Sequence, residues 1–190
     1  MKLKVGVLGS TRGTALQGVI DAIAAKALDV EIALVISDRA AAPILARAAS
    51  HHIDAVFIDP KGLAREQYDE RVTTALQEAG VDLVLMVGYM RIVSPAFVAQ
   101  WSGRLLNVHP SLLPAFGGLM NKSVHEAVLA SGVAETGCTI HQVTDDVDAG
   151  PIVLQKKCAV LPDDTVETLK DRVQALEQEA FVDVLRSWRA

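Results

Sequence analysis

The chain has 190 residues, 51% of them hydrophobic and 22% charged, a composition that excludes disorder, collagen-like repeats and a disulfide scaffold and is long enough to bury a core unaided. Lys and Arg number 18 against 23 Asp and Glu, a formal charge of −5 that leaves no footprint for nucleic acid or an anionic membrane. The opening MKLKVGVLGS holds too short an apolar run for a signal peptide, and no stretch approaches the roughly 18 apolar residues of a membrane span, so a cytoplasmic protein is expected.

No repeat, linker or low-complexity tract interrupts the chain, and one domain over 1–190 is expected. Apolar runs at Val5 to Leu8, Ile32 to Ile36, Ala55 to Ile58, Leu83 to Val87 and Leu105 to Val108 predict strands. Helix-period stretches at Thr14 to Lys26, Ala41 to Ser50, Leu63 to Ala79 and Ser94 to Trp101 fall between them. Past Val108 a turn-rich HPSLLPAFGG leads to a helix near Ser123 to Ser131, then to strands Gly137 to Val143 and Ile152 to Val160. The link between the last two is too short for a parallel crossover, which predicts an antiparallel hairpin. A final helix starts after Pro162, capped by Asp163, Asp164 or Thr165. The expected fold is therefore α/β. It is a single Rossmann-like domain whose open twisted sheet is mostly parallel, with an antiparallel C-terminal edge hairpin and helices on both faces.

Such sheets bind ligands beyond the carboxyl ends of their strands. Gly9-Ser10-Thr11-Arg12-Gly13-Thr14 follows the first strand and opens the first helix, a backbone nest suited to phosphate, yet it matches neither GxGxxG nor a P-loop. Asn107 and His109 are two apart on a strand and share a face, where an amide and an imidazole suit oxyanion stabilisation and proton transfer. Thr139 and His141 share a face of a later strand, and the loop Thr144 to Pro151 carries Asp145, Asp146 and Asp148. Neither EF-hand nor zinc spacing is present, so no metal is expected. Cys138 and Cys158 read as free buried thiols. His51, His52 and His125 read as surface or cap residues.

Taken together, NVHPSLLPAF at 107–116, GYMRIVSPAF at 88–97 and GCTIHQVTDDVDAGPIVLQ at 137–155 resemble the glycinamide ribonucleotide formyltransferases of de novo purine synthesis, over essentially the whole chain. The resemblance implies transfer of the formyl group of 10-formyltetrahydrofolate to the amine of glycinamide ribonucleotide, giving N-formylglycinamide ribonucleotide and tetrahydrofolate without a metal. It implies catalytic Asn107, His109 and Asp148, supported by Thr139 and His141, and phosphate binding at Arg12, Gly13, Thr14 and Ala15. It further implies ribonucleotide contacts from Gly88, Met90, Gln174 and Glu177, and a folate pocket at Arg91, Ile92, Val93, Val143, Thr144, Asp145 and Asp148. The partners it implies are these two small molecules, with the protein a monomer or homodimer. Two departures stand out. Ala15 replaces the usual Asn of the phosphate loop, and the 117–125 link is longer than usual, with Lys122 read as a solvated loop lysine. The Leu113-Pro114 bond stays open between cis and trans. A formyltetrahydrofolate deformylase and a catalytically silent nucleotide-binding module are the alternative readings.

Overall fold

In the first strand, Val5 and Val7 point into one apolar cluster while Leu8 joins another on the opposite side, so the sheet needs cover on both faces. The computed structural model describes residues 2–120 and 122–188, which leaves Asn121 of the 117–125 link, with Met1, Arg189 and Ala190, outside the description. The first elements are β1 (Leu3–Leu8), α1 (Thr14–Ala24), β2 (Val30–Ser37), α2 (Pro43–Ser50), β3 (Ala55–Phe57), α3 (Arg65–Glu78) and β4 (Leu83–Met86). They are followed by α4 (Pro95–Gln100), β5 (Leu105–His109), α5 (Lys122–Ser131), β6 (Glu135–Gln142), β7 (Ile152–Ala159) and α6 (Val166–Ser187).

The sheet runs β3-β2-β1-β4-β5-β6-β7. Strands β3 through β5 are parallel, whereas β5 with β6 and β6 with β7 are antiparallel, so the antiparallel edge holds one strand more than the expected hairpin. The reason lies in the link from β5 to β6. Helix α5 spans only about 15 Å, and β6 begins beyond the carboxyl end of β5 and descends beside it, Thr139 pairing with His109 and Gln142 with Leu106.

One face is packed by α1, α2, α5 and α6 through Leu16, Val19, Ile44, Val128, Leu169 and Phe181. The other is packed by α3 and α4 through Tyr68, Val72, Leu76 and Phe97, with Trp101 just past α4. Thr165 caps α6, accepting from Thr168 N at 3.2 Å, while Asp164 is tied by Arg172 at 2.7 and 2.8 Å. The strand order reverses between β1, whose partner on one side is β2, and β4 on its other side. The loops that leave these two strands therefore frame the crevice where such sheets take ligands.

Candidate active site

Antiparallel pairing of β5 with β6 sets Asn107 directly opposite His141 and His109 directly opposite Thr139. Side chains two apart share a face, so this register gathers all four onto one side of the sheet. Asn107 Nδ2 lies 3.1 Å from His141 Nε2, and His141 Nδ1 lies 2.9 Å from the carbonyl of Gln142. A carbonyl only accepts, so His141 donates from Nδ1 and its Nε2 accepts from the Asn107 amide. His109 stands between two acceptors. Nε2 is 3.1 Å from Phe116 O and Nδ1 is 3.3 Å from Asp148 Oδ2.

Asp148 reaches this cluster from the β6–β7 loop, in the left-handed region at φ 54. Aspartate tolerates that conformation better than most residues. The loop returns so tightly that a Cβ on Gly150 would collide with Gln142 O, which only glycine avoids. Asp148 Oδ2 accepts from Gly118 N at 2.9 Å, and Oδ1 lies 3.5 Å from His141 Nε2. Burial raises the Asp148 pKa, but the hydrogen bond from Gly118 N–H and the adjacent His141 and His109 imidazoles outweigh it and hold the carboxyl below its ordinary value. Burial pushes His109 below the ordinary imidazole value, against the opposing pull of Asp148 and of the Phe116 carbonyl. The pair is thus an ionised carboxylate against a neutral imidazole, and a proton arriving at His109 Nδ1 meets Asp148 directly.

Thr139 does not reach the ligand space. Fully buried, its Oγ1 donates to Ser111 O at 2.7 Å and accepts from Leu113 N at 3.0 Å and Gln155 Nε2 at 2.9 Å. Gln155 Nε2 also donates to Leu113 O at 3.0 Å, and the Leu113-Pro114 bond is cis. These bonds fix the turn that carries Phe116 and Gly118 back over His109.

Asn107, His109, His141 and Asp148 line one end of a cavity of about 280 Å³. Arg12, Gly13, Thr14 and Ala15 line it from the β1–α1 loop, Gly88 and Met90 through Val93 from the loop after β4, Val143 to Asp145 from the β6–β7 loop, and Gln174 and Glu177 from α6. Gly13 is the N-cap of α1, at φ 61, where a side chain would also strike Ile44. No side chain caps this helix, so Thr14 starts it without capping it and the first-turn N–H groups are left for an anion. Ser10 ties this loop to the next one, accepting from Met90 N at 2.9 Å and donating to Asp38 Oδ1 at 2.5 Å. Ala15 is packed in the core with its side chain almost wholly covered.

His125 corrects the expectation of a surface or cap residue: it is 3% exposed and lines the cavity. Helix α6 packs against α5 and brings Lys170 near this first-turn residue, a long-range effect that local sequence does not carry. Its Nδ1 has no hydrogen-bond partner among the described residues, and burial, with the charges of Lys170 and His109, pushes its pKa down to about 4. Burial pushes Glu177 up to about 8, while Lys170 pulls the other way. Lys122 opens α5 and pairs with Glu167 at 3.1 Å on the surface, and Cys158 is only partly buried, unlike Cys138. Sequence reasoning missed Lys170, which also lines the cavity, and the backbone groups of Phe116 and Gly118. Among the described residues, no group of three or more His, Cys, Asp or Glu is placed to hold a metal ion.

The pattern of the family described as formyl transferase matches residues 3–185. The chain is 42% identical over 186 residues to the trifunctional purine biosynthetic protein adenosine-3 of Gallus gallus, covering 97% of this chain and 18% of that protein. It is 37% identical over 184 residues to the phosphoribosylglycinamide formyltransferase of Haemophilus influenzae, covering 96% of this chain and 85% of that protein. The solved structure of glycinamide ribonucleotide transformylase 1 from Symbiobacterium toebii superposes with a TM-score of 0.92 at 42% identity, over 97% of this chain and 86% of that one.

Proposed function

Since the chain belongs to the formyl transferase family, we propose that it transfers the formyl group of 10-formyltetrahydrofolate to the amine of glycinamide ribonucleotide. The observation that carries this reading is the convergence of Asn107 Nδ2 and His109 on one cavity wall with Asp148 directly behind His109 Nδ1. The substrate amine attacks the formyl carbon, forming a new C–N bond as the bond to the folate nitrogen breaks. Asn107 donates an N–H to the formyl oxygen as charge develops there, its other N–H held by His141. His109 gives up its 3.1 Å contact from Nε2 to Phe116 O and donates to the same oxygen instead, and proton uptake at Nδ1 is stabilised by Asp148 at 3.3 Å. Through this pair the proton lost by the attacking nitrogen reaches the leaving nitrogen.

Arg12, Gly13, Thr14 and Ala15 offer the substrate phosphate backbone N–H groups and a helix N-terminus, while Gly88, Met90, Gln174 and Glu177 bound the ribonucleotide. Arg91, Ile92, Val93, Val143, Thr144 and Asp145 form the folate side. That side fits a flat ring with a polar edge. Ile92 and Val147 are exposed at its mouth, and the Arg91 guanidinium lies 4.3 Å over the Tyr68 ring with a buried, unpartnered Nε. We read the chain as one domain acting on small molecules, as a monomer or homodimer. Free thiols at Cys138 and Cys158 suit a reducing, cytoplasmic setting.

Release of tetrahydrofolate from 10-formyltetrahydrofolate, followed by absorbance with and without glycinamide ribonucleotide, tests the reading. Turnover that requires the ribonucleotide is expected. Formate release at an equal rate without it would make the protein a deformylase, and ligand binding without turnover would make it a silent binding module.

A further inference from the structure

We infer that Lys170 of α6 binds the phosphate of the ribonucleotide substrate and adds a half-buried side-chain charge to the β1–α1 nest. The inference rests on the proposed acceptor being phosphorylated, and no sequence motif points to this lysine.

Lys170, Gln174 and Glu177 recur at helical spacing on one face of α6, and all three line the cavity. Helices α1 and α6 touch where a Cβ on Gly18 would come within 2.6 Å of Gln178 Cβ, and one turn earlier Thr14 and Gln174 both face the cavity. The helices therefore run side by side in the same direction. Lys170, a further turn or about 5.4 Å toward the N-terminus of α6, projects past the end of α1, where its uncapped N–H groups point. In the nest itself Ala15 ends in a buried methyl group, and the cationic Arg12 is exposed.

Lys170 also lacks another occupation. Its neighbours on the same surface are paired, Lys122 with Glu167 at 3.1 Å and Lys156 with Asp183 at 2.8 Å, whereas half-buried Lys170 forms no ion pair among the described residues. Its charge bears on both His125 of α5 and Glu177 of its own helix, and His125 is held neutral. Lys170 is thus the cation on the α6 side of the ribonucleotide half, the half that ends at the helix N-terminus.

The test compares Lys170→Met, which keeps the apolar stem, with Lys170→Arg. For glycinamide ribonucleotide, Lys170→Met is expected to raise KM about tenfold with kcat within about twofold, since a charge-assisted hydrogen bond of this kind carries about one decade of affinity. The kcat/KM for the riboside that lacks the phosphate should not change, and Lys170→Arg should restore most of the loss. An equal fall with both acceptors, or an unchanged KM, would overturn the assignment. Calorimetric titration with ribose 5-phosphate requires no turnover. A Kd raised about tenfold in Lys170→Met supports the phosphate contact even if formyl transfer to this ribonucleotide is absent, and an unchanged Kd refutes it while leaving the proposed reaction standing.

Discussion

Asn107 and His141 face each other across the β5–β6 ladder, and the 3.1 Å bond between them spends one of the two amide hydrogens of Asn107. The other hydrogen is thereby aimed, because the amide can no longer rotate freely. In the proposed mechanism His141 therefore positions Asn107. His141→Ala is expected to lower kcat by about 10-fold to 100-fold, less than Asn107→Ala, and the double variant should fall no further than Asn107→Ala alone. Fully multiplicative losses in steady-state assays would show that His141 acts through Asp148 and not through Asn107.

Asp148→Asn and His109→Ala should each reduce turnover by about 10²-fold to 10⁴-fold, the range associated with a proton-transfer group. Both side chains sit at the end of a strand or in a loop beside open cavity, so thermal midpoints are expected to stay within a few degrees of the parent. Near-normal formyl transfer in either variant would remove the assigned roles.

The cavity also predicts how stability varies with pH. His125, depressed to about 4, resists protonation in the fold but protonates near 6.5 in the unfolded chain. Folding therefore loses stability as pH falls from about 6.5 toward 4, on the order of 3 kcal/mol for so deeply buried a ring. Glu177 works with the opposite slope. Raised to about 8, its favourable contribution is complete below its ordinary value near 4.5 and is lost as pH climbs toward 8. Melting curves should show Glu177→Gln gaining on the parent above pH 7 but not at pH 4, and His125→Gln flattening the acid limb. Parallel profiles for all three proteins would contradict the assigned environments.

Gly13→Ala should cost about 2 kcal/mol, because the left-handed backbone disfavours a side chain and Ile44 fills the space. Affinity for ribose 5-phosphate should drop with it, since the same backbone aims the N–H groups of α1. Chemical denaturation and calorimetry measure the two effects separately, and a variant that keeps both would show that the loop is not a shaped nest.

The parallel half of the sheet was legible in the sequence because its strands are unbroken apolar runs, and each lies within a few residues of its expected position. Asn107 and His109 were legible as a pair because alternation is local. The pairing of β6 with β5 was not, since it depends on where α5 ends in space. The acceptor for His109 Nε2 and the donor to Asp148 are backbone atoms of Phe116 and Gly118, and a backbone atom leaves no mark in the residue type. His125 looked like a solvated first-turn residue beside Lys122 and Ser123, because the helix that packs against α5 arrives over forty positions later. The left-handed turn at Asp148 was also hidden, glycine being the usual signal for such a turn.

The face-to-face placement of residues 107, 109, 139 and 141 makes the chemistry a matter of parity. Inserting a single residue within β5 or β6 would invert every later side chain of that strand and exchange the reactive groups for Val108 or Ile140. Adding residues to the 117–120 stretch, outside both strands, would leave that parity intact. The roof over the cavity can therefore be lengthened while the two-strand reading frame stays locked.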